Sequence, residues 1–226
     1  MSREKSEEAM QIEYLAHSCF LIRSKKGTTV IIDPYDPVIG YKGFNRTCDA
    51  LLISHQHCDH NYIPAVHGKV KTYSGATGPH RVGDITFRGV LADHDANGGD
   101  ERGKVIIHVI EADDMKLCHL GDLGTLLSPS QVEDIGSPDL LFIPVGGHHT
   151  ICAAEAKNVV AQLKAKLIIP MHYGTGQLRR DEFPLKRVDD FASLMPHVER
   201  LSTSLLDIDP LKPPEEMKVL IMNYTV

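Results

Sequence analysis

The chain has 226 residues, of which 42% are hydrophobic and 24% charged, and its formal net charge is −6. That length and composition fit one soluble globular domain spanning residues 1–226, with a sizeable core. The acidic balance disfavours nucleic acid held on a basic surface, and no run of about 18 apolar residues offers a membrane span.

Residues 1–8 are polar and charged, so they read as neither signal peptide nor membrane anchor. The first third then reads as strands at 11–15, 18–22 and 28–32, with Lys25-Lys26-Gly27 as a hairpin turn and Asp33-Pro34 as a stop. A buried strand at 50–53 runs straight into Ser54-His55. Strands follow at 85–91, 104–110 and 115–120, the last two joined by a turn at Ala112-Asp113-Asp114. From Ser128-Pro129 the pattern changes. A short helix opens there, 140–144 is a buried strand, and 153–163 has the apolar spacing of a helix. A strand at 167–169, a helix at 188–194 and strands near 198–201 and 218–222 complete the chain. Strands alone, then strands alternating with helices, predict an α/β fold. The arrangement that suits them is a four-layer α/β/β/α sandwich, two mixed sheets face to face with helices outside.

Five scattered cysteines with no Cys-x-x-Cys suggest a reducing, cytoplasmic compartment. Thirteen histidines are the unusual feature. Three of them fall in the run His55-Gln56-His57-Cys58-Asp59-His60, at the end of the strand at 50–53. Packing three imidazoles and a carboxylate into six residues is costly unless a cation binds them. Imidazole with carboxylate suits zinc, iron or manganese. The alternative is a solvated His-rich loop. Cys58 reads as a small buried hydrophobe rather than a ligand.

With this run in place, the chain resembles the metallo-β-lactamase superfamily, and within it the small metal-dependent hydrolases related to ascorbate-6-phosphate lactonase. Besides 55–60, the resemblance rests on Tyr14-Leu15-Ala16-His17-Ser18-Cys19-Phe20, Ile32-Asp33-Pro34, His94-Asp95-Ala96-Asn97-Gly98-Gly99, His119-Leu120-Gly121-Asp122-Leu123-Gly124, Pro144-Val145-Gly146-Gly147 and Pro170-Met171-His172-Tyr173. It implies two adjacent divalent metal ions, zinc first, with manganese, iron or nickel as alternatives. One would take His55, His57 and His94, the other Asp59, His60 and His172, with Asp122 bridging both. The acidic flanks of His94 leave open that a neighbour replaces it. Two metals about 3.5–4 Å apart can hold a water and lower its pKa towards neutral. The expected reaction is therefore attack by a metal-bridged hydroxide on a small ester, lactone or phosphodiester, with Asp59 as ligand and as orienter or proton acceptor.

Asp33 fits a carboxylate that orients a ligand histidine, or simply a turn residue before Pro34. His17 lies near the site by resemblance, or is an ordinary core histidine. His148 and His149 stand where relatives usually carry an aromatic residue. They are either a general acid or anion contact, or two solvated histidines. Arg102 reads as a surface ion pair with a possible role towards an anionic substrate, and 179–182 as a solvated charged loop. Three other readings stay open: a cyclic-nucleotide phosphodiesterase or nuclease, a di-iron redox protein, and a metal-binding module without turnover. A small-molecule substrate is the expected partner, and homo-oligomerisation is open.

Overall fold

In the computed structural model, residues 9–209 and 214–225 are described; the polar stretch at 1–8 lies outside them. The first strands are β1 (Met10–Ala16), β2 (Cys19–Arg23), β3 (Thr29–Ile32), β4 (Arg46–Thr47), β5 (Ala50–Ile53), β6 (Val66–His67), β7 (Lys71–Ser74) and β8 (His80–Val82). There follow β9 (Ile85–Asp93), β10 (Lys104–Ala112), β11 (Met115–His119), α1 (Pro129–Ile135), β12 (Leu140–Pro144), α2 (Ala153–Leu163), β13 (Leu167–Met171) and α3 (Val188–Ala192). The last strands are β14 (Val198–Arg200), β15 (Leu205–Ile208) and β16 (Lys218–Ile221).

One sheet has the order β15-β1-β2-β3-β5-β7 and the other β14-β16-β13-β12-β11-β10-β9-β8, while β4 and β6 form a separate pair. Both large sheets are mixed. In the first, β3, β5 and β7 run parallel and the rest antiparallel. In the second, β14, β16, β13, β12 and β11 run parallel and the meander from β11 to β8 antiparallel.

Side chains alternate across each strand, so a strand covered on both faces reads as an unbroken apolar run. Leu140 and Phe142 of β12 point between the sheets, where they meet Phe20, Ile32 and Leu52. Leu141 and Ile143 point the other way, against Val159, Val160 and Leu163 of α2. The expected sandwich is present. Its outer layer over the eight-stranded sheet is helical, whereas Tyr35, Ile39, Tyr41 and Leu178, from loops and a 3₁₀ turn, cover the six-stranded sheet.

Both longer helices start as their sequences suggest. The Ser128 side chain accepts from the Gln131 amide while the Gln131 side chain accepts from the Ser128 amide, and Pro129 needs no donor at the first position. At α2, Glu155 accepts from the Cys152 amide. Strands β4, β6, β7, β8 and β15 are absent from the sequence reading. Helix α3 stops at Ala192 rather than 194, and β9 and β10 each run two residues past the expected 91 and 110.

Phe142 is fully buried between the sheets, its ring 4.3 Å from that of Phe20. Phe142→Ala should destabilise the protein by about 3–5 kcal/mol, read as a lower urea midpoint with the slope unchanged.

Candidate metal centre

Strands β1, β3, β5, β9, β11, β12 and β13 all end at the same edge of the sandwich. Their C-terminal ends deliver His17, Asp33, His55, His94, Asp122, His148 and His172 to one cleft, the usual ligand position in sheets with parallel strands. Nine described non-glycine residues have left-handed backbone, and His17, Asp33, His148, His149 and His172 are five of them. Such backbone costs about 1–3 kcal/mol per residue, so strain is concentrated where the histidines gather.

The donors form three overlapping clusters. The ring nitrogens of His55, His57 and His94 lie within 4.8 Å of one another. So do the donor atoms of His17, Asp59, His60 and His172, and those of His55, His60 and Asp122. Asp122 Oδ2 is 3.3 Å from His172 Nε2, 3.6 Å from His94 Nε2 and 3.7 Å from His55 Nε2, and Asp122 Oδ1 is 3.1 Å from His60 Nε2. Yet His55 Nε2, His60 Nε2 and Asp122 Oδ1 are buried without a hydrogen bond. The atoms crowd one another but are not aligned to satisfy one another. Leaving them so is expensive, and a bound cation is what this donor set fits. His57 is only partly buried and forms the open side.

A second ring of groups holds these side chains. Asp33 Oδ1 accepts from the Ser54 amide at 2.8 Å, and its Oδ2 accepts from Ser54 Oγ at 2.6 Å and faces His60 Nδ1 at 3.0 Å. Ser54 Oγ also lies 2.9 Å from His55 Nδ1. His94 Nδ1–H donates to the His149 carbonyl at 3.0 Å, which leaves Nε2 for the cleft. The flanking carboxylates do not compete with His94. Asp93 pairs with Lys104, and Asp95 accepts from the amides of Asn97, Gly99, Glu101 and Arg102. His17 is fully buried, with Nε2 3.1 Å from Asp59 Oδ2.

Two glycines permit this packing. A Cβ on Gly121, at φ +52°, would come within 2.8 Å of the Ser54 Cβ, and one on Gly124 within 2.2 Å of the His94 carbonyl carbon. Both are needed for Asp122 to enter beside His55 and His94.

Protonation states follow from burial set against neighbours. Burial disfavours the imidazolium at His172, but Asp122 and Asp59 outweigh it and raise the pKa to about 9. The same contest raises His60. Burial works against the Asp59 and Asp122 carboxylates too, and the surrounding imidazoles overcome it and hold both well below the usual range. Burial lowers His55 to about 3 and His17 to about 4.

Some sequence readings need correction. Cys58 is exposed and lines the cleft rather than filling the core, and it joins none of the donor clusters. Arg102 makes no ion pair among the described residues and donates instead to His149 Nε2. His148 and His149 are exposed, and both line the cleft, whose volume is about 280 Å³. The loop at 179–182 is exposed, and Glu182 lines the cleft while paired with Arg179. Ser54 and His108 are absent from the sequence reading as site residues, and His119 enters it only within the run 119–124. His108 and His119 face each other across β10 and β11 and point between the sheets beneath the cleft, with His119 Nε2 donating to the Ser18 carbonyl. Both lie in apolar strands, where an inward polar position breaks the alternation. A larger groove of about 720 Å³, at the opposite end by Lys25 and Asp113, is lined by charged side chains and gathers no imidazole.

Two mixed sheets with an imidazole and carboxylate cluster at their common edge define a metal-dependent enzyme of the metallo-β-lactamase fold. The family model for the β-lactamase superfamily domain matches residues 11–172, so the chain belongs to that family. It is a metal-dependent hydrolase, similar to UPF0173 metal-dependent hydrolases from Myxococcus xanthus and Hyperthermus butylicus. The former is 32% identical over 73% of this chain and 71% of the relative, the latter 29% identical over 80% and 91%. A crystal structure from Thermotoga maritima, named for a Zn-dependent hydrolase of the metallo-β-lactamase superfamily, is 38% identical with a TM-score of 0.78. The match covers 96% of this chain and all of that one.

The raised imidazoles set the pH behaviour of the metal-free chain. A group whose pKa rises on folding stabilises fully below its unfolded value, here 6.5, and that contribution is lost as pH rises through the folded value, about 9 for His172. Chelator-treated protein should therefore be less stable to urea above pH about 9 than near pH about 7.5, where His17 and His55, which burial lowers, are neutral in the folded and the unfolded chain alike. Metal binds the deprotonated ring, so affinity should rise over the same interval with proton release, measurable by calorimetry in buffers of different ionisation enthalpy.

Proposed function

We propose that the centre is dinuclear. His55, His57 and His94 would hold one divalent ion, Asp59, His60 and His172 the other, and Asp122 would bridge them. The observation that supports this is the His55-His60-Asp122 cluster, which shares His55 with one donor group and His60 with the other, while Asp122 approaches His55 and His172. Imidazole and carboxylate donors without thiolate suit zinc first, then manganese, iron or nickel. Cys58 is exposed and joins none of the donor clusters, which keeps thiolate out of the proposed set.

When bound, such ions supply Lewis acidity and acidify water. The chain's own groups do the rest. Asp59 Oδ2 is held by His17 and also faces His60 and His172, so Asp59 sits among the donors where it would orient the attacking water and accept its proton. Asp33 and Ser54 fix the ring planes of His60 and His55. The His94 tautomer is set by the His149 carbonyl. A cleft of about 280 Å³ fits a small ester, lactone or phosphodiester in a chain acting as one domain.

Protein purified without added metal should carry two ions per chain by elemental analysis, and fewer in Asp122→Ala. A single ion in the wild type would exclude the dinuclear reading. His57→Ala should reduce turnover across a panel of lactones, thioesters and phosphodiesters by more than about 100-fold, while Asp33→Asn should cost about 10–100-fold, the range for a group that orients a ligand. Activity unchanged in His57→Ala would exclude the mechanism. Iron with redox turnover in place of hydrolysis would favour a di-iron enzyme.

A further inference from the structure

Arg102 is half-buried at the mouth of the cleft, on the loop after His94. The other cations nearby are engaged with carboxylates, Lys104 with Asp93 and Arg179 with Glu182. Arg102 has no carboxylate partner among the described residues. A guanidinium has five N–H donors and no acceptor, so His149 Nε2 must accept the bond between them, and it uses only part of that capacity.

The backbone that carries the guanidinium is also held in place. The Arg102 amide donates to Asp95 Oδ2 at 2.8 Å, and the same carboxylate gathers three more amides of the loop. On the far side, His149 is anchored through its carbonyl to His94 Nδ1. His148 and His149 both have left-handed backbone, at φ 49° and 79°, a cost the chain carries at the cleft mouth. A loop tied by one carboxylate, and a strained residue tied to the metal centre, together hold a cation with unused donors over a small cleft. A planar fork of this kind matches carboxylate and phosphate oxygens.

We infer that Arg102, braced by His149, is the specificity-determining residue of this cleft and binds a carboxylate or phosphate group carried by the substrate away from the bond that is cleaved. This rests on the hydrolytic reading of the cleft. Asp95 is then a positioning residue that holds the Arg102 loop.

The test uses metal-loaded protein and three nitrophenyl esters of equal chain length: neutral butyrate, carboxylate-tailed hemiglutarate and a phosphate-tailed analogue. A charge-assisted hydrogen bond predicts a KM at least about tenfold lower for one tailed ester than for the neutral one. The preferred tail identifies which oxyanion is read. Arg102→Gln should remove the advantage and Arg102→Lys should keep part of it, the quantity compared being the ratio of KM for the neutral ester to KM for the tailed ester within each protein. Equal KM for all three esters in the wild type, or an advantage that survives Arg102→Gln, overturns the inference and leaves hydrolysis standing. If the wild type cleaves none of the esters, the hydrolytic reading fails for them, and calorimetry with glutarate and propyl phosphate decides the inference. Affinity weakened at least about tenfold in Arg102→Gln supports it, and equal affinity overturns it.

Discussion

The carboxylate of Asp33 sits at the end of β3 with no exposure to solvent, and it reaches across to the end of β5. One oxygen takes the Ser54 amide, and the other takes the Ser54 hydroxyl and faces the His60 ring. Those contacts do two things together. They set the entry of the chain into 55–60, and they turn His60 and, through Ser54, His55 towards Asp122. A buried carboxylate is tolerated only where each oxygen finds donors, and here the donors are the residues that must be oriented. The His60 imidazole also keeps the Asp33 carboxyl well below its ordinary range against the opposing effect of burial.

The parallel ends of the strands make this possible. Parallel neighbours end in register, so β3 and β5 place Asp33 and Ser54 side by side, and β11, β12 and β13 place Asp122, His148 and His172 in a row opposite. The two sheets thus each contribute half of a donor set that neither holds alone. Left-handed backbone at His17, Asp33 and His172 lets the chain leave each strand abruptly and turn the side chain inward. The core between the sheets, with Phe20 and Phe142 in contact, offsets the cost of that strain.

Legibility in the sequence followed burial. Strands covered on both faces are continuous apolar runs: Leu140–Pro144 is read with its observed bounds, and Leu167–Met171 is read as a strand that stops two residues early, at 169. Lys71–Ser74 and Leu205–Ile208 lie at the sheet edge, where half-exposed polar residues erase the signal. The gathering of donors was legible because metal ligation uses few residue types at strand ends. The roles of Ser54 and His119 were not, since each acts through a contact made by folding. Cys58 misled because its neighbours in the motif are buried while its own side chain points outward, a matter of loop geometry that spacing does not encode.

The rim of the cleft follows a different logic from its floor. On the floor, opposite charges meet at close range: imidazoles and carboxylates shift each other's protonation, and no single residue can be changed alone. At the rim, Arg102 and His149 are held by backbone bonds to Asp95 and His94 rather than by charge, and their side chains meet each other, which leaves the remaining guanidinium donors for a ligand. That division explains why the motif at 55–60 bears on the chemistry of the bond broken, whereas selectivity must lie in the loops after β9 and β12. Those loops differ in freedom as well. The first is tied by the four amide bonds to Asp95, while the second turns through two consecutive strained histidines whose tilted rings lie 3.8 Å apart. A change at His149 that relaxes local strain would therefore move the Arg102 fork and, through the carbonyl bonded to His94 Nδ1, bear on the donor set beneath it.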